Sequence, residues 1–215
     1  VAPSRGLGDV YKRQYNMSKN FYEAVKDRRT IYGIDKKKIV PEDRIIEVVQ
    51  EAVKNSPSAF NSQSARVVVL FGENHDKLWD ITEAELRKIV PDENFSKTGE
   101  KINSFRKGYG SVLFFEDQDV ISELQKNFPL YKDNFPIWSQ QGSGILQFII
   151  WTSLEIEGLG VSLQHYNPLI DEEVKKTYGI PNNWKLIAQL PFGKPVSGAG
   201  EKEIKPLKDR IKVFK

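Results

Sequence analysis

Apolar side chains nearly encircle the axis of the segment from about Ser139 to Glu157, and no other feature constrains this 215-residue chain more. A surface helix keeps a polar face; this one has almost none, so both of its sides must be covered. A small monomer has few places for such a helix, which hints at a second copy of the chain. The run GILQFIIWTSLEIEGLGVSL is broken by Gln147, Thr152, Ser153, Glu155 and Glu157. A membrane span needs about 20 predominantly apolar residues, so this stretch reads as a buried helix running into a strand. Gly158 and Gly160 end it.

The flanking segments alternate between helical and strand patterns. Ser18 can cap a helix through about Arg28, and Pro41 opens another over PEDRIIEVVQEAVKN, with acids in its first turn. Strands are expected at about Arg66–Phe71, at SVLFFED (111–117), at VSLQHY (161–166) and at WKLIAQLPFG (184–193). Helices are expected near His75–Ile89 and at 171–178, while 91–107 is poorly specified. LQKNFPLYKDNFPIW, with two prolines and several aromatics, reads as a structured loop or short helix. No repeat appears and no linker is long enough to divide the chain. The expectation is a single α+β domain over 17–215.

Residues 1–16 look unlike the rest of the chain. The only methionine is Met17, so VAPSRGLGDVYKRQYN reads as a non-native leader. Arg5, Lys12 and Arg13 against Asp9 give it +2 of the formal +3 charge, which leaves +1 for the remaining residues. That is poor support for nucleic-acid binding. The absence of cysteine excludes thiolate chemistry, and two histidines, His75 and His165, argue against a multi-histidine metal centre. Hydrolase, kinase and dinucleotide fingerprints are missing too: GSG at 142–144 lacks a third glycine and reads as close helix packing. The expected setting is cytoplasmic, with no membrane and no metal.

What remains is polar and cationic residues at element ends. DRRTIYG puts Arg28, Arg29, Thr30 and Tyr32 where the first helix stops; two guanidinium forks beside a hydroxyl suit a phosphate. NSPSAFNSQSARVVVL crowds Asn, Ser, Pro and Gln, with a lone Phe, just ahead of a buried strand. KPLKDR supplies Lys208 and Arg210. Taken singly, each basic pair is ordinary helix-end charge or a solvated run.

Taken in order, these elements resemble the nitroreductase family of FMN-dependent oxidoreductases. RRTIY, PSAFNSQ, LGVSLQHYNP and FGKP with its charged tail carry the likeness, which spans 17–215. Ser64-Ala65 in place of the familiar Pro-Trp points to a short subgroup with fungal fatty-acid-repression and bacterial copper-induced members. The resemblance implies a nitroreductase-like fold, with a central, mostly antiparallel sheet flanked by helices and a long buried dimer-interface helix. It implies that Arg28, Arg29, Thr30, Lys208 and Arg210 hold the FMN phosphate. Tyr32 would meet the flavin N1–O2 edge, and Leu163, Gln164 and His165 would line its ring. Pro57, Ser58, Asn61 and Gln63 would bond to flavin at the interface of two subunits. Lys101 is a guess for a polar contact from a helix around 98–107.

The implied function is reduction of nitroaromatic or quinone-like acceptors by NAD(P)H, in two-electron, ping-pong hydride transfers through FMN in a homodimer. Because flavin N5 carries the chemistry, no side chain need be an essential acid or base. Phe128, Tyr131, Phe135 and Trp138 could cover the ring and stack on a flat, small aromatic acceptor. The competing reading is a flavin-binding regulatory or stress-response protein with incidental turnover.

Overall fold

The computed structural model describes residues 19–215. The expected leader, the Met17 start and the Ser18 cap lie outside them. Asn20 caps the first helix, α1 (Phe21–Asp27): its side chain accepts the Glu23 N–H while the Glu23 carboxylate accepts the Asn20 N–H.

Five strands form one sheet in the order β1-β5-β3-β2, with β4 joined to β5, and each of these pairings is antiparallel. They are β1 (Ile34–Asp35), β2 (Ala65–Phe71), β3 (Gly110–Asp117), β4 (Gly160–Val161) and β5 (Trp184–Pro195). The expected mostly antiparallel α+β architecture is therefore the one found. β3 is buried along its whole length, which explains why SVLFFED shows little alternation: helices cover both of its faces.

On one face lie α2 (Glu42–Asn55) and α6 (Phe135–Ile156), where Val48, Val49, Leu146 and Ile150 pack on Phe114 and Leu190. On the other lie α3 (Gly72–Arg87), α4 (Phe95–Arg106) and α7 (Asp171–Tyr178), with Leu78, Trp79, Phe105 and Val174 against Leu113 and Phe115. Each fully buried aliphatic side chain contributes roughly 1.5–3 kcal/mol. A short helix α5 (Gln118–Asn127) leads from β3 toward the aromatic segment.

Four sequence expectations are revised. α6 begins at Phe135 rather than Ser139, because Pro136 sits in its first turn, where a missing N–H costs nothing. Residues 95–106, unspecified from sequence, are helical. The acids ending β3, which in the sequence mark an exit into a loop, instead start a helix: the Asp117 side chain caps α5 by accepting the Asp119 N–H. The six-residue strand VSLQHY shrinks to Gly160–Val161 plus a single bridge between Gln164 and Gln189. The ladder breaks where Ser162 N–H meets the Pro191 carbonyl, since proline has no N–H to return.

Among the described residues only one side of α6 is covered. Ser143, Leu146, Ile150 and Leu154 are buried, whereas Ile137, Ile145 and Ile156 are exposed. Among the described residues no helix is long and apolar enough to cross a membrane.

Candidate functional site

The polar stretch before β2 is a tightly pinned loop. Phe60, Asn61 and Gln63 adopt left-handed backbone at φ 57, 49 and 48°, a conformation that is uncommon for Phe and costs on the order of 1–3 kcal/mol per residue. Local bonds hold this shape: Ser58 Oγ accepts the Gln63 N–H at 3.0 Å, and the Gln63 carbonyl accepts from Arg66 Nη1 at 2.8 Å. At its end Ser64 Oγ donates to Glu116 Oε2 at 2.5 Å. Arg66 is held in turn by Asp117 at 2.9 Å. Glu116 is buried, and desolvation pushes its pKa up to about 7; the Ser64 hydroxyl and Arg66 oppose that rise, while Asp117 adds to it.

Pro57, Ser58 and Gln63 line a cavity of about 220 Å³ between the end of α2 and the first half of α6, with Glu116 also in its wall. Gly142 faces this loop, and a Cβ there would make only ordinary contact, 3.9 Å from the Pro57 carbonyl oxygen. The close packing expected at GSG is not what its glycines serve: a Cβ would be accommodated at Gly142 and would meet nothing within 4 Å at Gly144.

The strain at Phe60 has a visible consequence. Its ring, half exposed, sits 5.0 Å from Phe128, 5.9 Å from Tyr131, 5.3 Å from Phe135 and 6.0 Å from Trp138, nearly parallel to the last at 18°. The four aromatics singled out from sequence are therefore brought together, around a fifth that was missed. The signal was present: one apolar residue in an otherwise polar loop.

A second constellation gathers at the far half of α6. Ile31 N–H donates to the Val161 carbonyl at 2.9 Å, docking the 28–32 segment on β4. Gly160 permits that approach, because a Cβ there would fall 2.8 Å from Ile31 Cγ2. Arg28 lies with its guanidinium 4.3 Å from the Trp151 ring centroid and has no carboxylate within ion-pair distance among the described residues. Arg29 donates to the Gly200 carbonyl, which brings the start of the C-terminal tail beside it. Thr30 is half-buried, and Tyr32 packs 6.2 Å from Phe105 of α4, one turn beyond the exposed Lys101.

Leu163 is half-buried against the core, His165 is exposed and Gln164 is buried. Two amide nitrogens, Gln164 Nε2 and Gln189 Nε2, are buried without a partner among the described residues, as is Ser162 Oγ. Gln189 Oε1 accepts the Tyr166 N–H at 2.7 Å. Gln189 is a second missed residue; a Gln in the middle of the apolar strand WKLIAQLPFG was the sign. Such unpaired buried donors suit a ring edged with carbonyl and imine acceptors, and an unpaired arginine suits a phosphate.

The two constellations stand apart. The 57–63 loop meets α6 at Gly142, and Arg28 meets it at Trp151, about 14 Å further along at the helical rise. One chain does not unite them. Asn61, Lys208 and Arg210 are exposed, and the tail basics make no ion pair among the described residues.

Comparison with known proteins shows the family and the fold. The model of the nitroreductase family matches residues 25–194. HBN1 of Saccharomyces cerevisiae is 38% identical over 193 residues, covering 87% of this chain and 93% of the yeast protein. The nitroreductase CinD of Lactococcus lactis, solved with chloramphenicol, is 45% identical at a TM-score of 0.84, covering 91% of this chain and all of CinD. It has also been solved with 4-nitrophenol. A protein from Desulfovibrio desulfuricans, solved with FMN, shares the fold at a TM-score of 0.67 and 16% identity, covering 92% of this chain and 99% of its own.

Proposed function

The chain belongs to the nitroreductase family, and on that premise we propose that it binds FMN and, as a homodimer, reduces nitroaromatic or quinone-like acceptors with NAD(P)H in the cytoplasm. The observation that carries this reading is the uncommitted Arg28 at one end of α6, with an aromatic cluster at the other; the buried, unpartnered amide nitrogens of Gln164 and Gln189 add donors elsewhere in the sheet. Bound FMN supplies the redox chemistry, passing two electrons and a proton from reduced nicotinamide to the acceptor, one substrate after the other.

The residues divide the remaining work. Arg28 and Thr30, with Arg29, Lys208 and Arg210, hold the phosphate; a group carrying about two negative charges calls for several cations. Tyr32, Leu163, Gln164 and His165 lie along the ring, where fixed donors stabilise charge at the N1–C2 edge. Pro57, Ser58, Asn61 and Gln63 come from a second copy, closing the gap that one chain leaves. The uncovered apolar strip of α6, with Val53 of α2 exposed beside it, supports that second copy. Phe128, Tyr131 and Trp138, with Phe60, offer ring edges and faces to the acceptor, while Phe135, expected to stack on it, is buried behind them. The CinD complexes with chloramphenicol and 4-nitrophenol support that class of acceptor.

Steady-state assays of NADH and NADPH oxidation with 4-nitrophenol and a quinone, with and without added FMN, test the reading. Acceptor-dependent, FMN-dependent turnover is expected, with parallel lines in double-reciprocal plots. A protein that holds FMN yet turns over no acceptor contradicts the enzymatic half.

A further inference from the structure

The backbone that carries Arg28 and Thr30 leaves α1 abruptly. Arg28 closes the helix with its own N–H on the Ala24 carbonyl at 2.9 Å, so the next peptide needs a partner from elsewhere. Glu155 supplies it: Oε2 accepts the Arg29 N–H at 2.9 Å, 126 residues away in sequence. The other oxygen, Oε1, accepts the indole N–H of Trp151, one turn earlier on α6, at 2.9 Å. On the face of that same indole lies the Arg28 guanidinium, 4.3 Å from the ring centroid.

We infer that Glu155 and Trp151 are positioning residues for cofactor phosphate: one carboxylate fixes both the backbone bearing Arg28 and Thr30 and the ring on which Arg28 rests. The arrangement has a chemical logic. A carboxylate paired directly with Arg28 would compete with an incoming phosphate. Glu155 instead gives each oxygen to a neutral N–H, and the fork of Arg28 keeps its donors uncommitted. Trp151 orients the guanidinium through its π-face, which leaves the in-plane N–H groups available to an anion. Trp151 did not stand out in the sequence, and Glu155 figured there only as an interruption of an apolar run.

This inference rests on the FMN reading, and the test separates the two. Flavin-free protein is titrated with FMN and with riboflavin, which lacks the phosphate, and flavin fluorescence gives each Kd. Glu155→Gln places an amide donor against one of two N–H donors and should weaken FMN about tenfold while leaving riboflavin unchanged. Trp151→Phe keeps a ring face but loses the N–H, and should weaken FMN by a few-fold with riboflavin again unchanged. In an Arg28→Ala background, Glu155→Gln should cost clearly less FMN affinity than it does in the wild-type background, the remainder acting through Thr30. FMN affinity equal to wild type in both variants overturns the inference. So does a parallel loss of FMN and riboflavin, which would mark a general structural role. Wild-type protein that binds no FMN overturns the underlying functional reading instead.

Discussion

Replacing His75 and Glu116 one at a time by Gln should tilt the pH dependence of stability in opposite directions. His75 is wholly buried on α3, its Nδ1 2.9 Å from Ser111 Oγ and its Nε2 3.3 Å from the Arg106 carbonyl. Burial pushes its pKa from the ordinary 6.5 down to about 4, against the opposing pull of that carbonyl. The unfolded chain therefore takes up a proton that the folded chain refuses, so stability present above pH 6.5 is lost as pH falls toward 4. That gap is worth about 3 kcal/mol. Glu116 runs the other way. Burial raises its pKa from 4.5 to about 7, so its contribution is full below pH 4.5 and is lost as pH rises toward 7, again about 3 kcal/mol. Between those limits the two slopes nearly cancel in the wild type. Urea unfolding at several pH values exposes them singly. Relative to wild type, His75→Gln should lose stability more steeply as pH rises, and Glu116→Gln should gain it. If either variant keeps the wild-type slope, the burial argument for that residue is wrong.

Phe60→Ala removes the centre of the aromatic cluster and should raise KM for flat acceptors several-fold with little change in FMN affinity, since base-like rings stack for about 1–3 kcal/mol each; steady-state kinetics beside a flavin titration checks both halves. Ile145→Glu puts a charge on the uncovered strip of α6 and should convert dimer to monomer in sedimentation velocity, with loss of flavin because the partner's loop departs.

The parts of the fold that were legible in the sequence are those with strong periodicity. Ile45, Ile46, Val49, Ala52 and Val53 mark α2 at helical spacing, although Ile46 and Val53 are exposed and Val48 takes their place in the core, and the Val67–Val69 run marks β2. α4 was not legible because Phe95, Ile102 and Phe105 are its only buried residues, too few to set a period across Gly99. The start of α6 was hidden by Pro136, which breaks a helix everywhere except the first turn, where it lies. β4 was over-read because Pro191, the residue that interrupts its ladder, is thirty positions away on β5.

The site shows the same division. Clusters close in sequence, 28–32 and 57–63, could be picked out by their residue types alone. Residues whose role depends on what lies across the fold could not. Phe60 matters through four rings from another segment, Gln189 through its bridge to Gln164, and Glu155 through the N–H of Arg29. Sequence pattern identifies which residues are unusual; only the fold says which of them meet.

The most direct test of flavin-dependent reduction is the visible spectrum of the protein mixed with FMN, passed through a desalting column and titrated anaerobically with NADH and then NADPH. Retained flavin is expected, with a band near ~450 nm that bleaches with one equivalent of nucleotide per flavin. Flavin that is retained but resists both nucleotides would contradict the oxidoreductase reading and favour a flavin-binding regulatory role. Flavin that is not retained at all would contradict the site itself.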